Sequence, residues 1–511
     1  MLGRKSFLVT INRFIEYFTG WLGLFFIARF MTAPDYTYGI VQFGLGTVSL
    51  FSFLGHFFKT AHIKRVSGGE IEEDKCMGTY ISLTAVSMLV TAAVIIGGIQ
   101  FWRHVLGRGF QTPTHELVIY IILGFFLLKS IGWIAKDTFR ARREIAKNEL
   151  INLMDRSVPT IFIVYVALTD GHAIDLALTY VAGGALAALL AVFFIKDLEI
   201  KRPDWETIKS YWDFALPGFF SKIVSRFGNR VDIVMVQLFW SSSNVGYYAA
   251  GRQMALIVNG LVAGVGTVIF PTISDYHSKG DWENLKNAVQ GAARYTSLFI
   301  TPVIAFLIIF PHKVIHILIS DAFLPAVPVV RILAINSFFM LYFKPFRYVI
   351  TGTNRPRLSA KISIVGNLSN VALNILLIPD SLFGIPLFGL KEVGAAIATL
   401  SAGISISLTK YMVSHRIADV SFSWVTLYHV GAATFSGLIL FVWEDQVMPI
   451  DRFYHLFLYA GAMVGLYAAV LYLTGEFTKE EWNYIMESIN PKKMWKYIKG
   501  ELTGNETDED E

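Results

Sequence analysis

A single cysteine in 511 residues, Cys76, leaves no partner for an intrachain disulfide and no thiolate cluster for a metal. Charge is also scarce. Asp, Glu, Lys and Arg together make up 16% of the chain, where a soluble globular protein carries about 25%. No Gly-rich Walker loop offers a nucleotide cradle, no His-Glu-x-x-His or clustered histidines offer a metal site, and no Gly-x-Ser-x-Gly mounts a serine nucleophile. No long polar stretch is available for a catalytic domain outside a membrane. The chain is therefore expected not to be an enzyme and to need no resident cofactor.

Hydrophobic surface is abundant instead. The apolar set makes up 54% of the chain, with 41 Phe, 22 Tyr and 11 Trp, a composition suited to lipid-facing helices and interfacial belts. A membrane-spanning helix needs about 20 mostly apolar residues, and about fourteen such runs occur. They lie at 7–30, 37–58, 78–101, 115–135, 150–169, 174–195, 212–239, 246–270, 291–311, 328–350, 359–378, 393–412, 424–443 and 453–474. The stretch Ile315–Leu324 reads as a re-entrant piece or a loop. Arg4 and Lys5 precede a first run too long for a cleaved signal, so that run is expected to remain as a span.

Charge placement tests the count. With the N-terminus inside, the inner loops carry Lys59 to Lys75, Lys136 to Lys147, Lys196 to Lys209, Lys279 to Arg294, Lys344 to Lys361 and Lys410 to Arg416. The outer loops carry only Arg103, Arg108, Lys313, Lys391 and Arg452. Basic residues number roughly thirty inside against about five outside. One miscounted helix would scramble that alternation. Fourteen spans with both termini cytoplasmic, in a plasma or inner membrane, is the expected topology. Lys479 to Lys499, broken at Pro491, reads as a cytoplasmic interfacial helix, followed by an acidic end.

The halves echo each other. The loop after the first span, with Pro34-Asp35-Tyr36-Thr37-Tyr38-Gly39, leads into an apolar helix, and so does the loop after the seventh, with Ser241-Ser242-Ser243-Asn244-Val245-Gly246. Gly39 and Gly246 lie about 207 positions apart, as do Phe139-Arg140 and Phe346-Arg347. Six spans per copy gives both copies the same orientation, related by an axis along the membrane normal. The expected fold class is all-α: two six-helix lobes (1–205 and 206–416), two extra spans (417–475) and a tail (476–511).

Charges inside the spans are the functional signal. Lys222, Arg226 and Arg230 follow one another at four-residue steps, each advancing only about 40° around a helix, so they form one basic stripe. A cation at the bilayer centre costs roughly 2.5–3.5 kcal/mol, so the stripe must face protein or water. Arg29 and Arg331 lie near helix ends and can snorkel. Arg13 and Glu16 form an i,i+3 pair, either a structural ion pair or a ligand contact. Lys129 lies deep with no acid on its own helix, and Arg252 is intermediate. Asp155-Arg156 and Asp213 lie near inner ends. The spans hold more cations than acids, so an anionic guest is expected, unless Asp155 or Asp232 cancels the stripe as structural salt bridges. Phosphate and diphosphate match guanidinium forks. Arg13, Lys129, Lys222, Arg226, Arg230 and Arg252 are the candidate substrate-binding residues. Glu16, Asp155 and Asp232 are candidates for coupling to a proton or sodium gradient. Pro159, Pro217, Pro302 and Pro328 lie in or at the mouths of spans, where they would kink helices.

With these motifs the chain resembles the multidrug/oligosaccharidyl-lipid/polysaccharide exporter superfamily, and within it the polysaccharide-biosynthesis flippases. The resemblance rests on Ala28-Arg29-Phe30-Met31-Thr32-Ala33-Pro34 with Tyr38-Gly39, and on Ala215-Leu216-Pro217 through Arg230-Val231-Asp232 to Gly246-Tyr247-Tyr248. Phe270-Pro271-Thr272, Leu377-Ile378-Pro379 and Gly394-Ala395-Ala396 follow in order, so about residues 7–412 are covered. The resemblance implies an alternating-access flippase whose cavity takes the phosphates and sugars of a polyprenyl-linked oligosaccharide, while the tail stays in lipid. Cationic cavity residues of such proteins map here to Lys129, Lys222, Arg226 and Arg230. Glycosyltransferase or polymerase partners would follow. The serine- and arginine-rich first helix of the lipid II flippases is absent, and the drug/cation antiporters have twelve spans and acidic pockets. Two rival readings are an ion-coupled exporter of small cations and a structural scaffold for glycan assembly.

Overall fold

The computed structural model describes residues 2–104, 110–196, 198–262 and 265–476, with most side chains from residue 15 onward. The expected interfacial tail and acidic end lie outside these residues, and so does the side chain of Arg13. The chain is a helical polytopic membrane protein, with one two-stranded hairpin, Ser381–Leu382 paired to Ile385–Pro386.

The first lobe comprises α1 (Leu2–Phe30), α2 (Pro34–Phe51), α3 (Lys59–Gly68), α4 (Glu73–His104), α5 (Pro113–Ala141), α6 (Ile145–Leu168) and α7 (Ala173–Ile195). A surface helix, α8 (Trp205–Ala215), leads to the second lobe. That lobe comprises α9 (Phe219–Phe239), α10 (Ser242–Leu261), α11 (Val265–Lys279), α12 (Trp282–Ile309), α13 (Pro311–Leu318), α14 (Val327–Tyr342), α15 (Lys344–Gly352), α16 (Pro356–Leu377) and α17 (Lys391–Ala418). Helices α18 (Val425–Gln446) and α19 (Phe453–Leu473) pack outside the second lobe against α12. Ten described segments are long and apolar enough to cross a membrane. The expected spans missing from that set are α1, α2, α9 and the α10–α11 pair, which are charged, short or broken.

Local chemistry explains where the sequence boundaries shift. The seventh span does not begin at 212. Asp204 accepts from Thr207 N at 2.7 Å and caps α8 as a separate amphipathic helix. A tight turn at Leu216–Gly218 follows, where Pro217 supplies no backbone donor, and α9 starts at Phe219. The tenth span bends at Phe343, just before Pro345, where α14 gives way to α15. The Ile315–Leu324 stretch is a short helix followed by a 3₁₀ segment, Asp321–Ala326.

The lobes meet at the face opposite the basic loops. There α2 crosses α10 at backbone contact: a Cβ on Gly39 would sit 1.8 Å from Ser242 O, and one on Gly246 would sit 2.2 Å from Asp35 O. The contact is reciprocal, because Asp35 and Ser242 are separated by the same 207 positions as the two glycines. Only glycine allows this approach. Side chains reinforce it. Tyr247 donates to Asp35 at 3.0 Å, and Arg29 donates to the carbonyls of His316 and Ile317 at 2.9 and 2.5 Å. Beside them Asp170 accepts from the backbone and hydroxyl of Thr32, which holds its carboxyl below the usual range. This face is closed.

Candidate functional site

Beneath the clasp lies a cavity of about 1130 Å³ between the lobes, walled by α1, α2, α5, α6, α9 and α10. Its lining runs from Ile27 and Tyr38, under the clasp, to Lys59, Arg140 and Arg143 at the basic-loop face. Among the described residues nine basic ones line it: Lys59, Lys129, Lys136, Arg140, Arg143, Arg156, Arg226, Arg230 and Arg252. Four acidic residues do so: Glu16, Asp137, Glu149 and Asp155. The wall therefore carries a surplus of positive charge, and Gln42, Ser49, Ser52 and Gln253 add neutral hydrogen-bonding groups.

The two lobes contribute that charge differently. In the first lobe Lys59, Lys129, Lys136 and Arg156 come with built-in counter-ions, whereas Arg140 and Arg143, at the open mouth, form no ion pair among the described residues. Asp155 bridges Lys129 at 3.0 Å and Lys136 at 3.2 Å, Glu16 meets Arg156 at 2.9 Å, and Asp137 meets Lys59 at 2.8 Å while accepting from Tyr80 at 2.9 Å. In the second lobe Arg226 and Arg230 line the cavity from α9 with no carboxylate or hydrogen-bond partner among the described residues. Neither guanidinium is held in an ion pair by a described carboxylate, although Asp232 lies within electrostatic reach of Arg230.

Two sequence candidates fall elsewhere. Lys222 shares the stripe's angle but not its depth. Its ammonium donates to Phe57 O at 2.9 Å and lies 5.6 Å from the Phe57 ring, outside the cavity lining. Asp232 is 3% exposed and also outside the lining; two residues beyond Arg230 it points about 200° away. It accepts a short hydrogen bond from Tyr248, whose hydroxyl also reaches Thr399 at 3.3 Å. Arg252, Glu16, Lys129 and Asp155 do line the cavity. Sequence reading missed Lys136 and Arg140, treated as loop charges. They follow Lys129 by seven and eleven residues, which is helical spacing on one face of α5.

The Asp155 bridge gives a stability prediction. Asp155→Asn leaves two largely buried ammonium groups uncompensated, and breaking a buried pair this way costs about 3–5 kcal/mol. Thermal melting of the purified protein should fall, and adding Lys129→Met and Lys136→Met should restore most of the loss. An unchanged melting temperature in the single variant would show that the bridge is not structural.

Comparison with known proteins places the chain. A family model described as "Polysaccharide biosynthesis protein" matches residues 12–328. A probable low-salt glycan biosynthesis flippase, Agl15 of Haloferax volcanii, is 21% identical over 440 residues, covering 86% of this chain and 88% of the relative. Among solved structures, the lipid II flippase MurJ in an inward closed conformation aligns with a TM-score of 0.68 at 17% identity, covering 92% of this chain and 99% of that one. An inward-facing multidrug transporter of the MATE family aligns at 0.61 and 13% identity, with coverages of 82% and 96%. These relatives are flippases and transporters, not enzymes, in line with the missing catalytic motifs.

Proposed function

The chain belongs to the polysaccharide biosynthesis protein family, and from that premise we propose that it flips a polyprenyl-(pyro)phosphate-linked oligosaccharide from the cytoplasmic to the outer leaflet by alternating access. The observation that carries the proposal is the pair of guanidiniums, Arg226 and Arg230, lining the cavity with no ion-pair or hydrogen-bond partner among the described residues. A diphosphate supplies the missing negative charge and matches guanidinium forks bidentately. A volume of about 1130 Å³ suits an oligosaccharide headgroup, and the polyprenyl tail stays in the bilayer.

Sidedness follows from charge. Basic loops face the cytoplasm, so the open mouth, with Arg140 and Arg143, is the loading side and the glycine clasp seals the outer side. Both termini are then cytoplasmic, in the cell membrane. In this reading residues 1–205 and 206–416 are the two lobes that rock about the cavity. An exporter of small cations needs carboxylates to dominate the wall, and here bases outnumber them nine to four. Asp232 is the carboxylate we assign to coupling: Glu16 and Asp155 each hold a cation, whereas Asp232 forms no ion pair among the described residues.

Reconstituted vesicles test this reading. Diphosphate-linked oligosaccharide should become accessible to an impermeant glycosidase on the opposite leaflet, driven by an imposed proton or sodium gradient. Asp232→Asn should abolish the gradient dependence. Transport of a quaternary ammonium dye but not of the lipid-linked sugar would favour the cation exporter. Transport of neither would favour the scaffold.

A further inference from the structure

The second lobe holds another cluster of cations, away from the cavity lining. Lys410, on α17, is only 4% exposed. Its ammonium has one hydrogen-bond partner among the described residues, Ser363 Oγ on α16 at 2.7 Å. Lys344 and Arg347, on α15, are half-buried, and Arg347 stands within electrostatic reach of both lysines. Ser414, one turn beyond Lys410, donates to Phe346 O at 2.5 Å and ties α17 to α15 at this level. No described carboxylate forms an ion pair with any of the three cations.

The repeat shows what is missing. Counting 207 positions back, Arg347 corresponds to Arg140 and Lys344 to Asp137. In the first lobe Asp137 is the carboxylate that holds Lys59 at 2.8 Å and accepts from Tyr80 at 2.9 Å. The second lobe puts a lysine at the position of that internal counter-ion. Among the described residues these three cations have no ion-pairing carboxylate, and one of them is almost fully buried. Such charge is costly unless something negative completes it.

We infer that Lys410, Arg347 and Lys344, with Ser363, form a second anion site, separate from the central cavity, that takes a phosphate-class group. A carboxylate brings one charge to three cations. A phosphoryl group brings more, and its oxygens can accept together from an ammonium, a guanidinium fork and a hydroxyl. The group comes either from a soluble phosphate or from the headgroup of an anionic lipid, since α15 and α17 lie in segments of spanning length.

The test is thermal melting of the full-length protein in nanodiscs of phosphatidylcholine alone, with inorganic phosphate or diphosphate added, and in discs containing phosphatidylglycerol. Melting should rise by several degrees with the matching anion, both in the parent and in the cavity variant Arg226→Gln/Arg230→Gln. A rise with soluble anion alone identifies free phosphate, and a rise with phosphatidylglycerol alone identifies a lipid headgroup. Lys410→Met should abolish the rise and should melt higher than the parent when no anion is present, because it removes an uncompensated buried charge. Arg347→Gln carries the same test of the anion response should Lys410→Met fail to fold. The site is refuted if no anion shifts the parent, or if both variants keep the full shift. It is equally refuted if the shift disappears only in the Arg226→Gln/Arg230→Gln protein, which would place the anion in the central cavity.

Discussion

Replacing Arg226 and Arg230 together by alanine should reduce transport of lipid-linked oligosaccharide at least about a hundredfold while leaving the protein folded. Hydrogen bonds to charged groups contribute about 1.5–3 kcal/mol each, so one lost guanidinium corresponds to roughly ten- to a hundredfold. Because both arginines would grip one diphosphate, their effects should not add simply. Folding should survive because neither side chain pairs with another described residue, so alanine leaves no partner stranded. Lysine at both positions should restore part of the activity: it keeps the charge but loses the planar fork. Lys222→Ala should have a much smaller effect, since its ammonium is occupied by Phe57 O at 2.9 Å. Glycosidase accessibility in reconstituted vesicles measures all four proteins. Equal losses in Lys222→Ala and the arginine variants would mean that the whole stripe acts as one unit, contrary to the assignment of the site to α9's two deeper arginines.

The second large effect should come from two glycines outside the cavity lining. Gly39→Ala would place a methyl 1.8 Å from Ser242 O, and Gly246→Ala would place one 2.2 Å from Asp35 O. Neither neighbour is a flexible side chain that could step aside. Forcing extra volume into a close-packed contact costs about 1–3 kcal/mol. In the proposed alternating-access cycle the outer-open state loses this contact, so the cost should fall on the outer-closed state and shift the equilibrium toward outer-open by about 5- to 150-fold. The check uses Gln42→Cys, which lines the cavity, in a Cys76→Ser background. An impermeant thiol reagent added from the outer side should label it much faster in either glycine variant, and transport should fall. Unaltered labelling would mean that the clasp is not the outer gate.

Much of this was legible from periodicity. Four-residue spacing put Arg226 and Arg230 on one face, apolar run length found the spans, and the 207-residue echo marked the two glycines that now meet across the lobes. The failures are equally physical. Spacing fixes an angle around a helix but not a depth along it, which is why Lys222 joined the stripe and yet ends beside Phe57. The same geometry, applied to Asp232, would have turned it away from Arg230 toward Tyr248. The pairing of Lys129 with Asp155 joins α5 to α6, and no pattern along one helix reports a partner on another. The seventh span, read as 212–239, takes in the end of α8 because Trp212 and Phe214 read as apolar as the span itself. Lys136 and Arg140 were set aside as loop charges because hydropathy ended the fourth span at 135, whereas α5 continues to Ala141.

The central claim is that two arginines without ion-pair partners among the described residues hold a phosphate group, and a binding measurement tests it most directly. Affinity of the purified protein for a polyprenyl diphosphate-linked oligosaccharide should exceed that for the same glycan on a phosphate-free polyprenol by at least about tenfold, equivalent to about 1.4 kcal/mol. The Arg226→Ala/Arg230→Ala protein should bind both alike. Equal affinity of the parent protein for the two lipids would contradict the account.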